Sequence, residues 1–307
     1  MGAISVNITI RDINARIDAG AADFIAATDA AYAAQLDRIA EHICGHREQS
    51  PVVLLSGPSG SGKTTTARLL EQKLDAMGCE THTLSMDDYF RSLTPEQLAL
   101  AAEDKLDLES PARVDAELLE RQLEGFIAGE PITIPHFDFR TSTRGVSDRV
   151  LTRKPGELLI LEGIHALNPA VVSLPEEQTV RLYVSVRTRL ITEKDIPLHP
   201  MEIRLLRRIL RDVRTRGRDP RDTLRMFRSV QRGEEQYIMP YKHRSTFDID
   251  TFFAYEVSVY KPMIAPLLAP LADQPEIREL LPVLDELHPI DAAVVPANTL
   301  IREFIGE

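Results

Sequence analysis

The sequence predicts an α/β fold with three layers, in which helices cover both faces of a mainly parallel sheet. Three observations predict it. Short apolar runs such as Val52–Leu55 and Leu158–Leu161 are typical of strands that are buried on both faces. Segments with helical spacing alternate with these runs, which favours parallel strands joined by helices. The length of 307 residues and the hydrophobic content of 43% allow one sizeable core with appendages.

The composition argues against two kinds of partner. The net charge is −11, whereas a protein that tracks a nucleic-acid backbone is expected to be basic over a wide face. No apolar run approaches the roughly 20 residues that a membrane span needs, and the N-terminus carries no signal-type segment. The two cysteines, Cys44 and Cys79, fit free buried thiols in a reducing compartment. We therefore expect a cytoplasmic protein that binds neither nucleic acid nor membrane.

The segment from Val52 to Ala67 predicts a phosphate-binding site. An apolar strand run is followed by Gly-Pro-Ser-Gly-Ser-Gly-Lys-Thr and then by a helix start. The glycines let successive backbone N–H groups point inward and hold phosphate oxygens at the helix N-terminus. Lys63 is expected to reach the β- and γ-phosphates, and the Thr64 hydroxyl to bind Mg²⁺. The residues expected to bind the nucleotide are Gly57, Ser59, Gly60, Ser61, Gly62, Lys63, Thr64 and Thr65.

The residues on either side of this segment predict alternating strands and helices. Ile4–Ile10 alternate apolar and polar side chains, which is typical of a half-buried strand. Ala19–His46 is rich in alanine and predicts a packing helix or helix pair, which could also serve a homo-oligomer. Beyond the phosphate-binding segment, we expect a helix over Lys63–Met77 that ends at Gly78, and a strand over Thr81–Ser85.

Acidic residues follow two of the predicted strands. Asp87 comes directly after Thr81–Ser85, and Glu162 ends the apolar run Leu158–Leu161. Ligands of open α/β sheets bind outside the carboxyl ends of the strands. Asp87 is therefore a candidate for accepting the proton of an attacking hydroxyl or for binding Mg²⁺ through water, and a helix cap would also explain it. Glu162 is expected to meet the metal opposite Thr64.

The middle of the chain predicts two helices and one long loop. The helices cover Pro95–Ala102 and Ala112–Gly125, the second after a Ser-Pro start signal. Pro131–Arg140 predicts a short strand that runs into a loop ending near Arg149. Long loops with acidic, basic and aromatic side chains often bind substrates, and a purely structural loop remains an alternative. His165 is expected to pack in a loop rather than to act in catalysis.

A cluster of arginines is the strongest charge anomaly. Eleven arginines lie between Arg204 and Arg232 in a protein whose net charge is negative. The apolar positions at helical spacing are Ile203, Leu206, Leu210 and Val213, and another side of the same helix carries Arg204, Arg208, Arg211 and Arg214. We expect a bound triphosphate to supply a counter-charge that these arginines lack within the chain, and the segment to be a mobile lid. A solvated basic helix is the alternative.

The remaining segments complete the predicted fold. Val180–Val186 is a fifth strand, Gln231–Tyr241 belongs to a helix, Ile249–Phe253 contains an edge strand, and Tyr255–Leu271 is an amphipathic helix. We expect an N-terminal extension over residues 1–50, a catalytic domain over residues 51–272 and a helical tail over residues 273–307.

Together these patterns resemble the uridine kinase family, which is related to phosphoribulokinase and pantothenate kinase. The resemblance covers about Val52–Leu271. It rests on the blocks Gly57-Pro-Ser-Gly-Ser-Gly-Lys-Thr64, Asp87-Asp-Tyr-Phe90, Ile134-Pro-His-Phe-Asp-Phe139, Leu161-Glu-Gly-Ile164, Arg207-Arg-Ile-Leu-Arg-Asp212 and Arg216-Gly-Arg-Asp219. It implies a P-loop NTPase-type αβα fold with an Arg-rich helical lid. It also implies transfer of the ATP γ-phosphoryl group to a small hydroxyl-bearing substrate, with Mg²⁺.

The resemblance also implies roles for individual residues. The implied catalytic residues are Asp87, Lys63, Arg211, Arg216 and Arg218, of which Asp87 is the base toward the substrate hydroxyl. The implied metal ligands are Thr64, Asp87 and Glu162. The implied contacts to the phosphate acceptor are Asp87, Phe90, Phe137, Asp138 and Arg208. Transfer would be direct and in line, without a covalent enzyme intermediate.

Three positions depart from the pattern of uridine kinases. Phe137, Ser142 and Met226 stand where that family usually has Tyr, His and Gln, which contact the nucleoside. These residues cannot make the hydrogen bonds of the family residues, so uridine and cytidine are not the only acceptors to consider. A non-nucleoside alcohol such as a sugar, a sugar phosphate or pantothenate is an alternative acceptor. The alternative classes are a regulatory ATPase without kinase activity and an ATPase that acts on nucleic acid. The sequence lacks the Asn-Lys-x-Asp pattern that binds guanine, which argues against a GTPase.

Overall fold

A computed structural model describes residues 7–103 and 105–306 of the chain. The strands are β1 (Asn7–Thr9), β2 (Val52–Ser56), β3 (Thr81–Ser85), β4 (Ile132–Thr133), β5 (His136–Asp138), β6 (Thr143–Gly145), β7 (Val150–Leu151), β8 (Leu158–Glu162), β9 (Thr179–Ser185), β10 (Arg189–Ile191), β11 (Pro197–Leu198) and β12 (Phe247–Asp250). The α-helices are α1 (Ile10–His46), α2 (Lys63–Ala76), α3 (Pro95–Ala102), α4 (Ala116–Ala128), α5 (Pro200–Arg216), α6 (Pro220–Tyr237), α7 (Glu256–Leu268), α8 (Pro275–Glu286) and α9 (Arg302–Ile305).

The middle layer is a parallel sheet, five-stranded over the described residues, with the order β12-β9-β2-β8-β3. Its central strand β2 is buried along its whole length because helices cover both faces. Val53 and Leu55 face the larger core cluster, and Val52 and Leu54 face the smaller one. The alternation follows from the two-residue period of a strand. The predicted three-layer α/β class is confirmed.

The loop between β2 and α2 lies at the carboxyl edge of this sheet. Its last glycine, Gly62, is the N-cap of α2 and has a φ of 83°, in the left-handed region that glycine tolerates best. Gly57 approaches strand β9 so closely that a Cβ atom there would lie 2.0 Å from the carbonyl oxygen of Val184. The glycine pattern therefore serves both the turn and the close packing of the loop on the sheet.

The terminal regions share the larger core with the sheet. Helix α1 is kinked at Gly20, where the backbone leaves the helical region. Its buried residues, together with those of α7, α8 and α9, belong to the cluster that covers one face of the sheet. Strand β1 pairs with β10 in a small separate sheet, and residues 4–6 of the predicted Ile4–Ile10 strand lie outside the described residues. The domain boundaries after residues 50 and 272 stay predictions.

Two predicted segments differ in detail. The helix expected from Ala112 begins later, as α4, because Pro111–Arg113 forms a short 3₁₀ turn and Asp115 caps the helix by accepting a hydrogen bond from Leu118 N at 3.4 Å. The long loop up to Arg149 contains short antiparallel ladders, in which β5 pairs with β6 and β4 pairs with β7. Cross-strand pairing of this kind depends on residues that sequence periodicity does not relate.

The prediction of free thiols is wrong, because Cys44 and Cys79 form a disulfide. The bond joins Cys44, near the end of α1, to Cys79, just after α2. The buried apolar residues of α1 and α2 pack in the same hydrophobic cluster. Thirty-five positions separate the two cysteines, so no local pattern connects them. Within the described ranges, none of the helices combines the length and apolar character that a membrane crossing requires.

Candidate active site

Helix α5 and the carboxyl end of the sheet pack against the phosphate loop. Arg204 Nε donates to Ser59 O at 3.1 Å, and Arg208 Nη1 donates to Ser59 Oγ at 3.0 Å. Arg207 Nη1 donates to Gly60 O at 3.2 Å. Each of these arginines is buried. Several side chains thus fix the loop backbone before any phosphate is bound.

Oxygen atoms suited to a hard cation meet at the carboxyl ends of β3 and β8. Thr64 Oγ1 donates to Glu162 Oε1 at 3.3 Å, and Ser85 Oγ donates to the same oxygen at 3.1 Å. Glu162 is buried, and the loss of water raises its pKa, while the nearby Lys63 charge lowers it. The charge of Asp87 raises the pKa of Glu162 further. Two carboxylates and two hydroxyls therefore lie close together at this edge of the sheet.

Asp87 lies in the 3₁₀ turn Met86–Tyr89 that follows β3 directly. Ser85 caps this turn and accepts a hydrogen bond from Asp87 N at 3.4 Å. Desolvation raises the pKa of the Asp87 carboxyl above its usual range, and Lys63 opposes this shift. Desolvation also lowers the pKa of Lys63, while Glu162 and Asp87 raise it. The three predicted residues Lys63, Asp87 and Glu162 thus form one electrostatic unit.

Several arginines of α5 and α6 have counter-charges within the chain, and for these the prediction that the chain supplies none is wrong. Buried Arg204 pairs with Glu234, where Nη1 lies 2.8 Å from Oε1. Buried Arg207 pairs with Glu256 at 2.7 Å. Both acidic partners come from other elements, α6 and α7, and this is why the local sequence does not show them. Helix α5 is consequently packed into the core along one side.

Asp212 gathers the arginines that the resemblance assigns to the triphosphate. Arg218 Nη1 and Arg216 Nη1 donate to its two carboxylate oxygens at 2.9 and 3.1 Å. Arg208 Nε and Arg211 Nε lie farther away, at 3.7 and 3.6 Å. One fully buried carboxylate thus faces four cations, and the cluster keeps an excess of positive charge.

Unpaired donors remain next to the loop. Among the described residues, the buried atoms without a hydrogen-bond partner include Arg208 Nε, Arg211 Nε and Ser61 Oγ. Buried N–H groups are normally paired, so these donors indicate a missing acceptor. Burial also lowers the pKa of Arg208 to about 10, which an anion beside it would reverse. These donors suit the oxygens of a phosphate group.

Aromatic side chains form a wall beside the Asp87 turn. Phe90 and Phe137 meet edge to face with ring centroids 5.7 Å apart, and Phe139 packs against Phe137 at 5.1 Å. Asp88 fixes the wall to the turn, because its Oδ1 accepts a hydrogen bond from Phe137 N at 3.1 Å. Phe139 is 64% exposed, so an apolar face remains open to solvent. The predicted residues Phe90 and Phe137 are therefore neighbours of Asp87.

The other residues expected near an acceptor are placed differently. Asp138 Oδ1 accepts a hydrogen bond from Arg140 N at 2.8 Å, so its carboxylate is used within its own turn. Ser142 has a φ of 54°, and its carbonyl accepts a hydrogen bond from Leu93 N at 3.0 Å. Met226 lies on α6. Two of the three departures from the uridine kinase pattern thus place a phenyl ring in the aromatic wall and a serine in the turn that follows Asp138.

The structure adds two acidic residues that sequence reasoning missed. Glu109 is close enough to Arg208 and Lys63 for both to lower its pKa, against a larger increase from burial. Its carbonyl accepts a hydrogen bond from His165 Nε2 at 2.9 Å, which agrees with the expected packing role of that histidine. Glu303, in the C-terminal helix, accepts a hydrogen bond from Thr65 Oγ1 at 2.6 Å. No local sequence motif marks Glu109 or Glu303 as a site residue. The nearest sequence signal is the Ser-Pro helix start that follows Glu109.

Comparison with known proteins decides the family. Residues 52–257 match the model of the "Phosphoribulokinase / Uridine kinase family". The chain belongs to this family. The match includes the phosphate loop, the Asp87 turn, Glu162 and the arginines of α5 and α6. It ends before most of α7 and does not include α8, α9 or the greater part of the N-terminal region.

Curated relatives within the family are kinases. The chain is 29% identical over 205 residues to uridine-cytidine kinase 2-B of Danio rerio, covering 64% of this chain and 72% of that protein. It is 32% identical over 200 residues to a uridine kinase of Ligilactobacillus salivarius, covering 64% and 84%. A solved structure of a possible uridine kinase from Bacillus stearothermophilus aligns with a TM-score of 0.44 and 17% identity, covering 70% of this chain and 97% of that one. The expected class, an ATP-dependent P-loop kinase of the uridine kinase type with a hydroxyl acceptor, is confirmed.

Proposed function

We propose that this kinase transfers the γ-phosphoryl group of ATP to a hydroxyl group of a ribonucleoside, with uridine and cytidine as the first acceptors to test. The observation that carries this proposal is the electrostatic unit of Lys63, Asp87 and Glu162 beside the phosphate loop. A carboxylate with a raised pKa next to a phosphate-binding lysine is suited to taking a proton from an attacking hydroxyl. The uridine kinases among its relatives support the acceptor class.

The donor set suits Mg²⁺. Thr64, Asp87 and Glu162 offer only oxygen ligands, which this small hard cation prefers, and two of them are carboxylates brought close despite their repulsion. We assign these three residues to the metal, bound directly or through water. A bound Mg²⁺ would neutralise charge on the transferring phosphate.

The remaining roles belong to the protein itself. We assign the loop residues Gly57, Ser59, Gly60, Ser61, Gly62, Lys63, Thr64 and Thr65 to the phosphates, since the loop backbone is already fixed by α5. Arg211, Arg216 and Arg218 are proposed to stabilise the transferring phosphoryl group, and each has Asp212 to hold it in position. Asp87 orients the acceptor hydroxyl and takes its proton.

The acceptor is proposed to stack on the aromatic wall. The exposed ring of Phe139, with Phe90 beside it, offers a face on which a planar base can lie, and the buried Phe137 ring packs against both. Of the three departures only Ser142 keeps a polar group, a single hydroxyl, so fewer hydrogen bonds can read the edge of the base. Glu109 and Arg208 provide polar contacts for hydroxyl groups of the same molecule. We therefore expect weak discrimination among bases. The apolar character of Phe137 also keeps a non-nucleoside alcohol as the second candidate.

An acceptor panel tests this function. ADP release with ATP and Mg²⁺ is measured for uridine, cytidine and other nucleosides, and for sugars, sugar phosphates and pantothenate. We expect turnover with several nucleosides, and turnover restricted to a non-nucleoside would replace the acceptor class. Asp87→Asn should lower kcat by about 10²- to 10⁴-fold and preserve ATP binding. Full activity of Asp87→Asn would contradict the role of Asp87 as the base.

The cytoplasm is the proposed location, on the ground that ATP is the phosphoryl donor. The Cys44–Cys79 disulfide removes the support that free thiols would have given. Nucleotide hydrolysis without turnover of any acceptor would favour the regulatory ATPase.

A further inference from the structure

The segment around α9 lies against the phosphate loop and the first turn of α2. Leu300 packs on Gly62, where a Cβ atom would lie 2.8 Å from Leu300 Cδ1. Phe304 is fully buried, with the guanidinium carbon of Arg207 5.0 Å from its ring centroid. This segment lies outside the residues that match the family, so it is an addition of this chain to the shared kinase core.

The segment brings a carboxylate to two residues assigned to ATP. Glu303 Oε2 accepts a hydrogen bond from Thr65 Oγ1 at 2.6 Å, and Glu303 Oε1 lies 3.9 Å from Arg211 Nη1. The side chain is 19% exposed, which limits screening by solvent. The Glu303 carboxylate thus interacts with both the Thr65 hydroxyl and the Arg211 guanidinium.

This carboxylate lies where phosphate would be attracted. Thr65 is in the first turn of α2, at the positive end of the helix dipole, and the phosphate loop directs its backbone N–H groups to the same end. Burial lowers the pKa of the Lys63 amine, and the charge of Glu303 is one of three carboxylate charges that oppose this shift. A second anion at this helix end is repelled by the first.

The backbone of the segment is firmly held, so only the Glu303 side chain needs to respond to a ligand. Arg302 donates hydrogen bonds to the carbonyls of Pro296 and Gly306 at 3.3 and 3.0 Å. Arg214 Nη2 donates to the carbonyl of Glu303 itself at 3.2 Å. Rotation about two or three side-chain bonds of Glu303 would break its contacts with Thr65 and Arg211 while α9 stays in place.

We propose that Glu303 determines the affinity of this kinase for nucleotides, because its carboxylate occupies Thr65 and Arg211 in the nucleotide-free protein and gives them up to the nucleotide phosphates. The internal anion keeps Arg211 at the loop without a ligand. It also makes binding of a triphosphate less favourable than the loop alone would allow. The inference rests on the proposed nucleotide site but not on the identity of the acceptor.

Calorimetric titration with ATP, ADP and AMP tests this inference. Glu303→Gln keeps the shape and the acceptor oxygen for Thr65 but removes the charge. We expect its Kd for ATP to fall about tenfold relative to the unaltered protein, the order expected from one like charge near the phosphates. The gain should be smaller for ADP and smallest for AMP, because fewer phosphate charges meet Glu303, and it should shrink at high salt.

The control is Glu276→Gln, a carboxylate of α8 that pairs with Arg228 away from the loop. It should leave nucleotide binding unchanged. A Glu303→Gln protein with unchanged Kd values overturns the inference, and so does a lower kcat with unchanged Kd, since that would make Glu303 a positioning residue for Arg211. Thermal unfolding checks that each variant folds. If Glu303→Gln does not, Glu303→Asp, which withdraws the carboxylate from Thr65, should show a smaller decrease in Kd, and an unchanged Kd overturns the inference.

The proposed function and this inference fail in different ways. If the unaltered protein binds no nucleotide, the proposed site itself is wrong. If it binds ATP but phosphorylates no nucleoside, the acceptor is wrong and the Glu303 comparison still decides its own question.

Discussion

Replacing Glu256 by glutamine should destabilise the protein strongly. Arg207 and Glu256 are both 0% exposed, and they are joined by two hydrogen bonds of 2.7 and 3.0 Å. Glutamine keeps the size of the side chain but leaves the Arg207 cation buried without a counter-charge. Breaking a buried ion pair in this way costs about 3 to 5 kcal/mol in the free energy of unfolding.

A surface pair of the same chemistry is the matched control. Arg228 and Glu276 also share two hydrogen bonds, of 2.8 and 3.2 Å, but their side chains are 51% and 33% exposed. Water solvates either partner after the other is removed, so Glu276→Gln should leave stability almost unchanged. The measurement is urea unfolding of both variants and the unaltered protein, with linear extrapolation to zero urea.

The nucleotide site should respond as well. Arg207 Nη1 donates to Gly60 O, so loss of Glu256 also loosens the phosphate loop, and Glu256→Gln should bind ATP more weakly. The reasoning is refuted if Glu256→Gln loses less than about 1 kcal/mol, the range of exposed pairs, or no more than Glu276→Gln loses. Such a result would mean that water reaches Arg207 despite its burial.

Three further predictions concern other parts of the molecule. Burial lowers the pKa of His165 from 6.5 to about 4, so the unfolded chain takes up the proton first, and up to about 3 kcal/mol of stability should be lost as the pH falls from about 6.5 to about 4. Unfolding of His165→Asn over that range should show a weaker pH dependence, and an equal slope would contradict the assignment. Gly57→Ala should abolish ATP binding or folding because its Cβ would lie 2.0 Å from a backbone oxygen, whereas Gly45→Ala, with open space around it, should be tolerated; equal binding by both would contradict the clash. Reduction of the Cys44–Cys79 bond, which closes a loop with a sequence separation of 35, should remove about 4 kcal/mol of stability. Thermal unfolding with and without a reductant measures this loss. If the reductant also lowered the Tm of Cys44→Ser, which cannot form the bond, the loss would have another cause.

Local sequence patterns predict much of the fold and part of the candidate site. The apolar runs of β2, β8 and β9 were predicted because strands buried on both faces need apolar residues throughout. The glycines of the phosphate loop were predicted because the turn needs backbone freedom at adjacent positions. Short strands such as β7 and β11 are not predicted, since two residues give too little periodicity to detect.

The counter-charges of the arginines show where local reasoning stops. The sequence around α5 contains few acids, and a bound triphosphate was the expected partner. The structure instead supplies Glu234 from the last turns of the next helix, α6, and Glu256 and Glu303 from α7 and α9, which lie tens of residues beyond α5. Such pairs are specified by packing of distant elements, which no window on the sequence contains.

The sequence by itself determined the class of fold, the phosphate loop and the residues Lys63, Asp87 and Glu162, because each depends on a short motif or on the end of an adjacent strand. Only the tertiary structure decided that the two cysteines pair, that Glu109 lies near Lys63 and Arg208, and that Glu303 accepts a hydrogen bond from Thr65. The physical reason is range. Hydrophobic period and turn chemistry act over a few residues, whereas an ion pair or a disulfide requires two distant segments to be placed within a few ångströms by the folded core.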